Sequence, residues 1–145
     1  MLLIKGIARQ GRWMEAGRVR IAVVLLALAA FAAYALLAGS PWIETSLPGG
    51  LPLGNALAAL LLCALAGAGL ALSPKGTALR ASAGVGLLVA IAWLPLSIVL
   101  AGNLALNFAG EHGLAWLWFS AGIALYAVLV LSTAAISVVI GRLRT

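Results

Sequence analysis

The chain is poor in charge. Only 8% of its 145 residues are Asp, Glu, Lys or Arg, against 65% that are hydrophobic. A water-soluble domain of this size carries about 25% charged residues to solvate its exterior. So few charges cannot cover a surface that faces water, and lipid must be the solvent for most of it. The mean hydropathy of +1.19 agrees. The fold class expected is an all-α membrane protein, since 145 residues give room for four spans of about 20 residues each.

Other scarcities remove whole chemistries. Cys63 is the single cysteine, so no intramolecular disulfide can form and no thiolate cluster can hold a metal. His112 is the single histidine, which excludes haem held between paired imidazoles. The apolar runs contain no Asp, Glu, Lys, Arg or His in their cores. Charge at membrane depth marks proton relays, ion paths and substrate sites, so its absence argues against a carrier driven through a buried carboxylate and against an intramembrane aspartyl protease. Gly67–Gly69 and Gly84–Gly86 lie inside apolar runs without the lysine that a phosphate loop requires. No cofactor, no metal and no catalytic residue is expected, and the chain reads as a non-enzyme.

What the sequence does have is four long apolar stretches. They run from Ile21 to Gly39, Asn55 to Leu72, Ser82 to Gly102 and Leu114 to Ile140. Each reaches the roughly 20 residues that cross ~30 Å of hydrocarbon at ~1.5 Å rise. The expectation is a single transmembrane domain over residues 1–145, a four-helix bundle. Ser40–Pro41 and Ser73–Pro74 stop the first two spans, and Pro48, Gly49, Gly50 and Pro52 shape a compact loop between them. Pro95 removes a hydrogen bond inside the third span and is expected to kink it near Ile91. Ahead of the first span, Lys5, Arg9 and Arg12 share one helical face and Leu3, Ile7 and Met14 another. That pattern over residues 1–20 predicts a short basic helix lying in the membrane interface.

Lys5, Arg9, Arg12, Arg18 and Arg20 precede the first span, Lys75 and Arg80 join the second to the third, and Arg142 and Arg144 follow the fourth. These are all nine basic residues, and all lie on one side. The two opposite loops hold Glu44 and Glu111. Basic loops stay in the cytoplasm, so both termini are expected there, in a bacterial inner (cytoplasmic) membrane. The net charge of +6 is then an orientation signal able to attract anionic lipid headgroups, and nucleic acid is not an expected partner.

Small residues four apart recur in each span: Ala29–Ala33, Ala64–Ala68, Ser82–Gly86–Ala90 and Thr133–Ser137–Gly141. Such stripes let helix backbones approach in lipid, with one face left for another subunit or a second copy. Tyr34, Trp93 and Tyr126 lie deep enough that their polar atoms should look into protein.

One polar constellation remains. Asn103, Asn107 and Glu111 recur at spacing four, with His112 adjacent and Trp116 and Trp118 just beyond. On a continuing helix they would form an outer-rim polar site for a cation or an ammonium headgroup. The competing reading is a helix end emerging into water, ringed by ordinary interfacial tryptophans. Two functions follow from the whole pattern. The first is a non-catalytic accessory or structural subunit of a larger membrane assembly, in contact with membrane lipids and other membrane subunits. The second is a small transporter or channel that is complete only as a homo-oligomer, since four short spans enclose little volume.

Overall fold

The computed structural model describes residues 2–39, 41–108 and 111–143, with side chains from residue 16 onward. It contains four helices, α1 (Leu2–Ala38), α2 (Leu53–Leu72), α3 (Ala78–Ala101) and α4 (His112–Leu143). All four are long and apolar enough to cross a membrane. Among the described residues there is no strand, only an isolated bridge between Ser46 and Pro52.

The apolar runs locate the helices, and local chemistry adjusts their ends. α1 departs most from the sequence expectation. The basic segment is helical, but it runs into the first span without a break, so it is not a separate interfacial element. Gly6, Gly11 and Gly17 each cost about 1 kcal/mol relative to alanine, which is too little to split a helix that the apolar run propagates. α3 starts earlier than its apolar pattern. Thr77 caps it, its Oγ1 accepting from the Arg80 backbone N–H at 3.3 Å. Arg80 therefore belongs to the first turn of α3 and not to the link. α3 remains a single helix across Pro95, which lies on its exposed side.

Between α1 and α2 a 3-10 turn, Pro41–Glu44, leads into a closed loop. Leu47 N–H donates to Leu51 at 2.8 Å and Leu53 N–H to Thr45 at 2.9 Å. Gly49 and Gly50 take φ of +98° and +89° there, values that only glycine adopts without strain.

The bundle is organised around α2. Its buried residues, Leu57, Leu62, Ala64, Ala66, Ala68 and Gly69, do not fall on one stripe. Gly67 meets Leu25 of α1, while Gly69 lies against the backbone of Leu131 in α4. Two residues of helix turn through about 200°, so α1 and α4 flank α2 on opposite sides. α3 packs on α2 and α4, whereas α1 packs on α2 and makes no comparable contact with α3 or α4. The other helices each bury a single seam. That of α3 is Ala83, Gly86, Ala90, Trp93 and Ser97, and that of α4 is Ile123, Ala127, Val130 and Ala134. Alternating steps of three and four are the spacing of knobs-into-holes packing.

Two of the small-residue stripes pack as expected: Ala64 and Ala68 are buried, as are Gly86 and Ala90. The α4 stripe does not. Thr133 and Ser137 return their hydroxyls to the carbonyls of Leu129 and Thr133, each at 2.8 Å, and a Cβ on Gly141 would meet nothing. α4 instead buries the neighbouring face through Ala134.

Candidate functional site

The polar interior of the bundle is a reciprocal clamp between α3 and α4. Each helix carries a tryptophan followed four residues later by a serine, Trp93–Ser97 and Trp116–Ser120. One helical turn aligns each pair on one face. The indole N–H of Trp93 donates to Ser120 Oγ at 2.9 Å, and that of Trp116 donates to Ser97 Oγ at 2.8 Å. Each serine hydroxyl then donates to the backbone carbonyl of the tryptophan on its own helix, Ser97 to Trp93 at 2.6 Å and Ser120 to Trp116 at 2.8 Å. The antiparallel course of the helices puts each tryptophan level with the serine of the other. Ser97 is fully buried and Trp93 only 2% exposed. The two indoles lie 5.8 Å apart, tilted by 38°, and Phe108 stacks on Trp116 at 5.0 Å.

A second polar assembly closes the C-terminus of α2. The last carbonyls of a helix lack internal donors and carry the negative end of its dipole. Arg18, from α1, donates through Nε to Ala71 O at 2.9 Å and through its terminal nitrogen to Ser73 O. Arg80, from α3, donates to Leu70 O at 3.0 Å and to Ser73 O at 3.3 Å. Two guanidiniums from flanking helices thus converge on one helix end. Ser73 itself is fully buried, and its hydroxyl donates to Gly69 O at 2.7 Å.

The outer-rim residues are not arranged as their spacing predicts. α3 ends at Ala101 because Gly102 adopts a left-handed conformation, φ +69°, and caps it. Asn103, Asn107 and Glu111 therefore do not share a helical face. Asn103 organises the loop: its Nδ2 donates to Ala101 O at 2.8 Å and to Asn107 O at 3.1 Å, and its Oδ1 accepts from Asn107 N–H at 3.0 Å. Both donors and the acceptor of that amide are engaged with backbone. Asn107, Glu111 and His112 are exposed, and Glu111 offers its carbonyl to Ala115 N–H at the start of α4. Ala109 and Gly110, the middle of the expected reversal, lie outside the described residues. The loop is tied to α2 by Asn55, whose Nδ2 donates to Leu104 O at 3.1 Å. Leu106 is buried although its φ is +55°, a backbone conformation that costs a non-glycine residue about 1 kcal/mol or more.

The deep aromatics divide. Trp93 faces protein. Tyr126 lies over Gly86, where a Cβ would come within 2.8 Å of its ring, and its hydroxyl donates to Ser82 O at 3.0 Å. Tyr34, by contrast, is 74% exposed and faces outward. Trp118 is 71% exposed, as an interfacial anchor should be, whereas Trp116 turns inward to the clamp. Sequence spacing did not reveal that division, since residues 116 and 118 look alike as a string.

These features define an integral membrane protein, a bundle of four spanning helices. Comparison with known families, with curated proteins and with solved structures gives no match.

Proposed function

We infer that this chain is a non-catalytic accessory or structural subunit of a larger membrane assembly. The observation that carries the reading is the clamp. Trp93, Ser97, Trp116 and Ser120 bond to one another and to their own backbones, and among the described residues no buried side-chain polar atom lacks a partner. The interior polarity is directed at joining helices and not at a substrate. The position of α1 adds support, since its extensive packing is on α2 and it presents Val23, Val24 and Phe31 outward, each more than half exposed. A bundle with a side open in this way suits lateral association with another subunit.

Photocrosslinking residues placed at Val24 and Phe31 test the reading in native membranes. A subunit gives one dominant heterologous adduct from both positions. Adducts to lipid alone would reject it. An adduct to a second copy would move the assignment to a homo-oligomer, the arrangement that a small transporter or channel of this size requires.

A further inference from the structure

We propose that the cleft between α1, the end of α2 and α4 at the basic end of the bundle binds the phosphate of an anionic phospholipid, whose acyl chain lies along the groove between α1 and α4. The cleft has a volume of about 310 Å³ and is flanked by Arg18 and Arg142, with Val19, Leu72 and Val138 among its walls. None of the described residues lining it is acidic.

Four observations favour this occupant. First, the charge is fixed in place. Arg18 is held by the carbonyls of Ala71 and Ser73, so its guanidinium is oriented before any ligand arrives. A guanidinium has five N–H donors; two of them hold these carbonyls, and three remain for an anion. Arg142, in the last turn of α4 and itself engaged within the chain, supplies positive charge from the opposite wall. Second, the α2 terminus does not cancel this field. A helix end carries roughly half a negative charge, while Arg18 and Arg80 together bring two positive ones to it. Third, the depth is right. The 20 residues of α2 rise about 30 Å, the thickness of the hydrocarbon core, so its last carbonyls lie at the hydrocarbon edge, within an arginine side chain's reach of the lipid phosphates. Fourth, the cleft is continuous with hydrocarbon. α1 and α4 both pack on α2 and make no comparable contact with each other, so below the charged mouth α2 is the floor of an apolar groove that they flank. A soluble anion would use the mouth and not the groove; a phospholipid uses both.

Native mass spectrometry of the full chain in detergent, titrated with phosphatidylglycerol and phosphatidylcholine of identical acyl composition, tests the site. One phosphatidylglycerol per chain is expected at a concentration about thirtyfold lower than phosphatidylcholine needs, the scale set by two arginines near an anionic lipid. Arg142→Gln should reduce that preference, and so should Gly141→Leu, which leaves charge unchanged and adds bulk at a cleft residue whose Cβ would enter open space. Lys75→Gln, an exposed basic residue that does not line the cleft, should preserve it. Should Arg142→Gln fail to fold, Gly141→Leu carries the test alone. Equal binding of the two lipids would overturn the proposal, as would an unaltered preference in Gly141→Leu or an equal loss in Lys75→Gln. Glycerol phosphate, which has no acyl chains, should not compete at matching concentration, and competition by it would show a soluble-anion site instead.

Discussion

Trp93 and Trp116 each donate an indole hydrogen bond to the serine that follows the other, at 2.9 and 2.8 Å. The pair is symmetric in chemistry although its members lie in different sequence surroundings. Its strength should appear as coupling. Interhelical hydrogen bonds in membranes average about 0.6 kcal/mol and reach about 1.7, so Ser97→Ala and Ser120→Ala should each destabilise by roughly that range. A double-mutant cycle between Trp93→Phe and Ser120→Ala, read by unfolding in mixed micelles, should give a non-zero interaction term. Simple additivity would mean that the contact contributes nothing beyond packing.

Gly86 should tolerate no side chain while Gly84 tolerates one. A Cβ at 86 falls 2.8 Å from the Tyr126 ring, and the hydroxyl of Tyr126 is anchored to Ser82. Overpacking of this kind costs typically 1–3 kcal/mol. A Cβ at 84 meets open space, so Gly84→Ala should be neutral or gain the fraction of a kcal/mol that alanine brings to a helix. Thermal melts of the two variants side by side decide this, and equal losses would refute the packing argument.

Removing the arginines at the end of α2 should destabilise in a non-additive way. Arg18 and Arg80 both donate to Ser73 O, so either one alone leaves that carbonyl satisfied. Arg18→Gln or Arg80→Gln should cost about 1 kcal/mol, and the double variant more than the two losses together. Strict additivity in equilibrium unfolding would show that the shared carbonyl is of no consequence.

Orientation in the membrane is expected to follow the basic residues. With Cys63→Ala as background, cysteine at Glu44 or Glu111 should react with an impermeant maleimide applied to intact cells, and cysteine at Lys75 should not. Labelling at 75 alone would invert the topology.

The spans were legible in the sequence because hydropathy is a bulk property that no particular contact alters. Loop glycines and prolines were legible for a similar reason, as at Gly49 and Gly50. The outer rim was misleading, since the spacing of Asn103, Asn107 and Glu111 describes a face only if the helix persists. Gly102 ends it at φ +69°, and the repeat then spans a loop. The clamp was hidden by the opposite difficulty. Ser97 and Ser120 bond back to their own helices as isolated span serines do, and their second role depends on which helix lies opposite and at what height. The arginine pair at α2 was missed because Arg18 and Arg80 were weighed by their side of the membrane, and neither had a visible partner until the end of α2 met the start of α3 and the middle of α1.

The central position of α2 also bears on how the protein is made. Helices leave the ribosome in chain order, so the helix with the most neighbours is completed second, when only α1 can cover it. Until α3 and α4 emerge, the surface around Gly69 has lipid or the insertion machinery beside it, and Ser73 has the guanidinium of Arg18 but not yet that of Arg80. Biogenesis therefore passes through a two-helix stage whose exposed side is lined by alanine and glycine.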